Sequence, residues 1–301
     1  MPHVRITHST EYTYHRPVRP TTHRLMLRPR DSHDLRLRDA TLTVTPPTQR
    51  TRWAHDVFGN SVCYLEWGRA ETTVIRIVST LDVDHFPARS ELPLDPVAEV
   101  YPFSYSTEEA PDLARTIERH HPDPDRAVDA WARSFLNPHG PTRTLDLLAH
   151  MTRAIKDEFR YRARESEGTN PPTVTLRTRS GACRDYALLM MEAVRSLGFA
   201  ARFMSGYLYD EQAAGAAPVV GGGATHAWVA VYLPGAGWVE YDPTNGLLAG
   251  RNLLRVCSAR SPEQAVPVSG AYVGGRGDFR SLHVSVDVQV GEAISGPMAV
   301  G

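Results

Sequence analysis

The chain has 301 residues, 42% of them hydrophobic and 22% charged, which is the balance of an ordinary soluble globular protein. That length suits about two domains and needs no metal or disulfide staple. Its 33 basic and 34 acidic residues leave a net charge of −1, which argues against nucleic-acid binding by bulk charge.

The first ~90 residues read as strands. Val4-Arg5-Ile6 leads into Tyr12-Thr13-Tyr14, followed by His23 to Leu27 and by Leu35 to Val44, where apolar residues partly alternate with polar ones. Phe58-Gly59-Asn60 is a hairpin signal between two β-prone runs, and Glu71 to Val83 is rich in Val, Ile and Thr. This pattern predicts a β-sandwich-like segment. Prolines 87, 93, 96 and 102 then mark a connector.

Helices are expected over Asp112–His120, Asp125–Leu136 and Thr144–Phe159, the last with Leu145, Leu147, Leu148, Met151, Ile155 and Phe159 along one broad face. A polar stretch, Arg162 to Pro172, interrupts the pattern. A further helix runs from Cys183 to about Leu197 with Gly198 as its C-cap. Strands are expected at Ala201–Tyr209, His226–Leu233 and Trp238–Tyr241, with the Gly221-Gly222-Gly223 loop between the first two. The alternation of Leu282, Val284, Val286, Val288 and Val290 with polar residues predicts a half-buried closing strand. The organisation read from this is a β-rich domain at 1–90, a connector at 91–110, a catalytic core at 111–250 and C-terminal strands at 251–301.

Apolar runs long enough to span a bilayer are missing, and Met1 to Thr10 is too polar for a signal peptide. Cys63, Cys183 and Cys257 are too scattered for a disulfide framework or a zinc site. The expectation is a cytoplasmic protein with reduced thiols, no cofactor, no metal, and neither membrane nor nucleic acid as partner.

Cys183 stands where a loop meets a helix start. The free N–H groups and dipole there favour an anion, so its thiol ionises more easily than that of Cys63 or Cys257. A single cysteine is more often a small core residue. A lone His226 at a strand start is more often structural, and Asp242 before Pro243 is by itself a turn residue. Together, a helix-start cysteine followed by a histidine and an aspartate on successive strands matches what thiol acyl transfer requires. The histidine takes the thiol proton and the carboxylate fixes its tautomer.

The runs Gly181-Ala182-Cys183-Arg184-Asp185-Tyr186-Ala187, Ala201 to Tyr207, Thr225-His226-Ala227-Trp228 and Gly237 to Asn245 resemble the core of the bacterial transglutaminase-like superfamily. His8 to Tyr14, Leu27-Arg28-Pro29-Arg30 and Asp56 to Asn60 resemble the β-rich region that precedes this core in many bacterial members. The resemblance implies an α+β, papain-like core with the cysteine on a helix packed against an antiparallel sheet. It matches Cys183 to the nucleophile, His226 to the base and Asp242 to the orienting acid. Arg184 departs from the glutamine often found after the cysteine. No position matches the oxyanion tryptophan of eukaryotic transglutaminases, which leaves the Cys183 N–H as candidate donor.

The activity implied is a cysteine hydrolase acting on a peptide, protein or amide through a thioester acyl-enzyme, that is, a protease, isopeptidase or amidase. An amine acceptor would make it a protein-glutamine gamma-glutamyltransferase or another amide-forming acyltransferase, and a non-catalytic binding module is the reading from another class. Asp185 reads as a cap or ion-pair residue, Arg184 as solvent-facing, and Trp228 and Trp238 as sheet packing. The glycine loop reads as a flexible hairpin, with a lid over the cleft as its other reading. Adjacent His120 and His121 do not share a helix face and suggest no metal site.

Overall fold

The computed structural model describes residues 2–86, 92–164, 167–209, 225–248 and 252–291. The Gly221-Gly222-Gly223 loop lies outside them. Six strands open the chain: β1 (His3–Pro20), β2 (His23–Arg28), β3 (Leu35–Thr45), β4 (Arg50–His55), β5 (Ser61–Glu66) and β6 (Thr72–His85). β1 buries Val4, Ile6, His8 and Thr10, and β6 buries Ile75, Ile77, Ser79, Leu81 and Val83, the period of two that puts one sheet face inward. β6 pairs antiparallel with both β1 and β3. β5 pairs antiparallel with β2 and β4. Tyr14, Val18, Ile75 and Ile77 from one sheet meet Leu25, Leu27, Cys63 and Leu65 from the other, and the two sheets form a sandwich.

Five helices follow: α1 (Glu109–Ile117), α2 (Ala127–Arg133), α3 (Thr144–Glu158), α4 (Pro172–Thr178) and α5 (Cys183–Ser196). α1 begins before the expected Asp112. Ser106 Oγ accepts the Glu109 N–H while Glu109 accepts the Ser106 N–H, each at 3.2 Å, a capping box that sets the start. α4 has seven residues, too few for a periodic signal, and falls just after the stretch read as interrupted. α5 is buried all round, from Asp185 to Arg195. An apolar side chain such as Leu188, Leu189 or Met190 contributes about 1.5–3 kcal/mol when fully buried. Gly198 takes φ +91°, the left-handed turn that ends this helix.

The charges buried on α5 are satisfied. Glu192 pairs with Arg195 at 3.0 Å and accepts the backbone N–H groups of His120 and His121. Arg195 also donates to the carbonyls of Thr116, Ala201 and Arg260.

The core sheet, a third one, contains β7 (Ala201–Leu208), β8 (Thr225–Leu233), β9 (Gly237–Asp242) and β10 (Leu253–Ala259), in the antiparallel order β9-β8-β7-β10, with Leu247–Leu248 outside β9. α5 packs on β8 and β7. Ala187, Leu188, Met191 and Val194 join Ala227, Val229, Val231 and Val239 in one cluster. This is the α+β arrangement expected, a cysteine-bearing helix on an antiparallel sheet preceded by a strand-rich domain.

The sandwich and the core meet at Val4, Ile6, Leu81 and Val83 against Tyr207, Tyr209, Leu254 and Val256. Two His–Tyr pairs sit in this seam, His8 with Tyr207 at 2.9 Å and His85 with Tyr209 at 2.7 Å. Burial pushes both imidazoles down to about 4, so each stays neutral at ordinary pH.

The closing strand, β11 (Phe279–Gly291), returns to the sandwich and pairs antiparallel with β1. It is less buried than its alternation suggested. Val286 is buried, but Leu282, Val284 and Val290 are 41–43% exposed. β11 has a neighbour on one side only, so its apolar residues are covered from one direction.

Candidate active site

The start of α5 is held from several sides. Ala182 is extended (φ −89°, ψ 172°), and its N–H donates to Asp185 Oδ2 at 2.9 Å. Asp185 Oδ1 accepts the Asn170 N–H at 2.7 Å and Arg164 at 3.1 Å. Residues 160–161 pair in parallel with 180–181. Asp185 is 1% exposed and ties the 162–170 segment to the helix, so its expected capping role is the arrangement found. Arg184, expected to face solvent, is half-buried and donates to the Arg164 carbonyl at 3.1 Å.

His226 lies at the start of β8 and Asp242 at the end of β9, neighbouring antiparallel strands. Both are buried, and His226 Nε2 donates to Asp242 Oδ2 at 2.8 Å. Asn245 Nδ2 donates to the same oxygen at 2.8 Å, and the Thr244 N–H donates to Oδ1 at 2.9 Å. The turn after Asp242 thus orients the carboxylate. Sequence reading took Asn245 only as part of a motif and missed this contact.

Opposite His226, Gly206 of β7 is required by close packing. A Cβ there would lie 2.0 Å from the Leu254 carbonyl oxygen and 2.8 Å from the Trp228 ring. Trp228 is fully buried, its ring 6.0 Å from the His226 imidazole and inclined 24° to it. Trp238 packs beside it, with Arg202 4.0 Å over its ring. Both tryptophans are sheet-packing residues.

Cys183 is half-buried at the first position of α5. Burial pushes its thiol up. The hydrogen bond and charge of His226 and the Ala227 N–H outweigh that, and the thiol sits below its ordinary value. His226 moves the opposite way. Burial disfavours its charge, but Asp242 and Cys183 more than compensate and raise it to about 10. Asp242 is held below the usual carboxylate range, because His226, Asn245 and the Thr244 N–H together overcome its burial. The two shifts run in opposite directions, each favouring the charged form of its group. Nε2 is committed to Asp242, and the buried Nδ1, with no other hydrogen-bond partner among the described residues, is the nitrogen left for the sulfur.

The other thiols contrast with this one. Burial alone pushes Cys63 to about 11, and burial is the chief cause that takes Cys257 to about 12. Tyr161 is a neighbour that sequence reading missed. Its phenol interacts with Cys183, and burial is the chief cause that takes it to about 12, so it keeps its proton. Among the described residues no group of three or more His, Cys, Asp or Glu side chains is placed to hold a metal ion. No helix among them is long and apolar enough to cross a membrane.

The fold and these motifs define a transglutaminase-like protein. Residues 4–84 match the bacterial transglutaminase-like N-terminal region and residues 129–243 the transglutaminase-like superfamily, and the chain belongs to that superfamily. It is 28% identical over 293 residues to an uncharacterized protein of Mycobacterium tuberculosis, covering 94% of this chain and 91% of that one. It is 41% identical over 68 residues to a protein-glutamine gamma-glutamyltransferase of Pseudomonas aeruginosa, covering 22% of this chain and 10% of that one. A solved structure from Cytophaga hutchinsonii, described as "a Putative Cysteine Protease", shares the fold with a TM-score of 0.71 at 18% identity, covering 100% of this chain and 94% of that one. A cysteine-based enzyme is what this family membership supports.

Proposed function

We propose that the protein is a cysteine hydrolase that cleaves an amide or peptide bond, with Cys183 as nucleophile, His226 as general base and acid, and Asp242 as the group that orients His226. The observation that carries this reading is the set of opposed shifts around one contact: thiol lowered, imidazole raised, and Nε2 bound to a buried carboxylate at 2.8 Å.

In the first half-reaction the Cys183 sulfur attacks the carbonyl carbon and the carbonyl electrons move to oxygen. The N–H of Cys183, at the helix start where no intrahelical acceptor is available, faces that developing charge, and the helix dipole adds to it. As the oxyanion collapses the C–N bond breaks, and His226 gives its proton to the departing amine. A thioester remains. Water then attacks the thioester while His226 takes its proton, the acid is released, and the thiolate–imidazolium pair returns. The free thiols Cys63 and Cys257 suit a reducing, cytoplasmic setting.

Replacing water by an amine in the second half-reaction gives amide transfer. The local likeness to the Pseudomonas gamma-glutamyltransferase favours this as the second reading. One experiment covers both. The protein is incubated with peptides containing glutamine amides, with and without a primary amine, and followed by intact mass and product analysis. Acid product with or without amine supports hydrolysis, and amide product only with amine supports transfer. No covalent acyl-enzyme and no turnover across such peptides would leave a binding module.

A further inference from the structure

We propose that the slot between β3 and β4 binds an extended acidic segment of a partner protein as an added strand. This stands apart from the Cys183 site and does not depend on the reaction there.

β3 and β4 follow one another through residues 46–49 but do not pair. Each is the outermost strand of its own sheet, β3 beyond β6 and β4 beyond β5. Two unpaired strand edges therefore flank one gap, with backbone N–H and C=O groups on both sides. The gap is an open groove of about 420 Å³ lined by Arg28, Ala40, Leu42, Val44, Thr51 and Trp53 among others. Leu25, Leu27 and Leu81 lie deeper, below Leu42 and Trp53. Trp53 is 46% exposed, a large apolar surface left open at the slot.

The charge around this gap has one sign in excess. Arg28 lies over the Trp53 ring at 5.8 Å, and Arg52 over the Tyr64 ring at 4.2 Å. Among the described residues neither makes an ion pair. Arg50 faces Glu66 across the β4–β5 ladder without forming one either. Arg50 and Arg52 alternate along β4 with Thr51 and Trp53, which line the slot, and so leave by the opposite face. A strand inserted against β4 would send alternate side chains into the slot, against Leu42, Val44 and Trp53, and the others beside Arg50 and Arg52. The sequence that satisfies both faces alternates apolar with acidic residues.

The test uses the full chain and two seven-residue peptides, blocked at both ends, one alternating glutamate with leucine and the other lysine with leucine. Binding is followed by the Trp53 indole N–H resonance, assigned with Trp53→Phe, and by titration calorimetry. The expected result is saturable binding of the glutamate peptide, at least 10-fold tighter than the lysine peptide, that shifts the Trp53 signal and weakens as salt rises. The double variant Arg50→Glu, Arg52→Glu is expected to lose at least 10-fold in affinity, with an unchanged circular dichroism melt because both side chains are exposed. Equal affinity for the two peptides, no saturation, or binding that ignores these arginines would overturn the proposal and leave them as guards against edge-to-edge association. Concentration-dependent dimerisation that blocks the Trp53 shift would overturn it in favour of a second copy of this chain.

Discussion

His226 and Asp242, separated by 16 positions in the chain, meet at 2.8 Å because they lie diagonally across neighbouring antiparallel strands. Val229 pairs with Tyr241, so Asp242 follows one step beyond and His226 lies at the strand's beginning. Diagonal neighbours on adjacent strands are within reach of ordinary side chains. The turn residues then hold the carboxylate at both oxygens, Thr244 at Oδ1 and Asn245 at the Oδ2 that His226 also binds.

Cys183→Ala is expected to lower kcat by about 10⁴-fold or more, since the proposed mechanism loses its nucleophile. The side chain is half-buried and small, so the thermal midpoint should move by only a few degrees. Turnover of the same substrate at near wild-type rate by the purified variant would reject the assignment.

Alkylation by iodoacetamide near neutral pH should be fast at Cys183 and slow at Cys63 and Cys257, whose thiols stand at about 11 and about 12. The Cys183 rate should fall only as the pH drops through its lowered value, below the ordinary thiol range. Peptide mapping after a timed pulse reads this directly. Uniform labelling of the three thiols would contradict an activated Cys183.

The stability contributed by His226 and Asp242 should have two edges in pH. His226 is raised to about 10 in the folded state, so its contribution is full below the unfolded histidine value of 6.5 and is lost as the pH rises through about 10. Asp242 is lowered, so its contribution is present above the unfolded carboxylate value of 3.8 and is lost as the pH falls below it. Thermal midpoints of the wild type and of His226→Gln, taken across this range, should converge at both extremes and differ most between them. A constant difference would show that the pair is not titrating.

Asp242→Asn should lower kcat by roughly 10- to 10³-fold, with any fall in the thermal midpoint confined to the pH range in which the charged pair with His226 contributes stability. Asparagine still occupies the turn and can accept from His226, but it cannot stabilise the imidazolium by charge. An unchanged kcat would reduce Asp242 to a turn residue.

Asp185→Ala should destabilise the fold by about 1–3 kcal/mol, because the N–H groups of Ala182 and Asn170 lose their acceptor and Arg164 loses one of its three. Urea denaturation of the variant measures the loss. A midpoint equal to that of the wild type would mean that water replaces the carboxylate at no cost.

Local pattern made much of this molecule readable. The alternation in β1, β3 and β6 reports a sheet with one buried face, because side chains in a strand point to opposite sides. The helical spacing of Ala187, Met190, Met191 and Val194, ended by Gly198, reports α5 and its start at Cys183. Elements of a few residues carried no such periodicity. α4 and the two-residue bridge at 160–161 were therefore invisible, although both help position the start of α5.

What the sequence by itself determined is the kind of chemistry available and the order of its parts: a cysteine at a helix start, then a histidine and an aspartate on successive strands. Tertiary structure alone decided the contacts that depend on distant segments. The Asp185 link to Asn170, the Arg195 bonds to Thr116 and Arg260, and the two His–Tyr pairs between sandwich and core join residues whose separation in the chain leaves no local signal. It also decided the exposure of β11. Alternation shows that one face of a strand is apolar, but whether a layer covers that face depends on the strand's place in the sheet, and β11 lies at an edge.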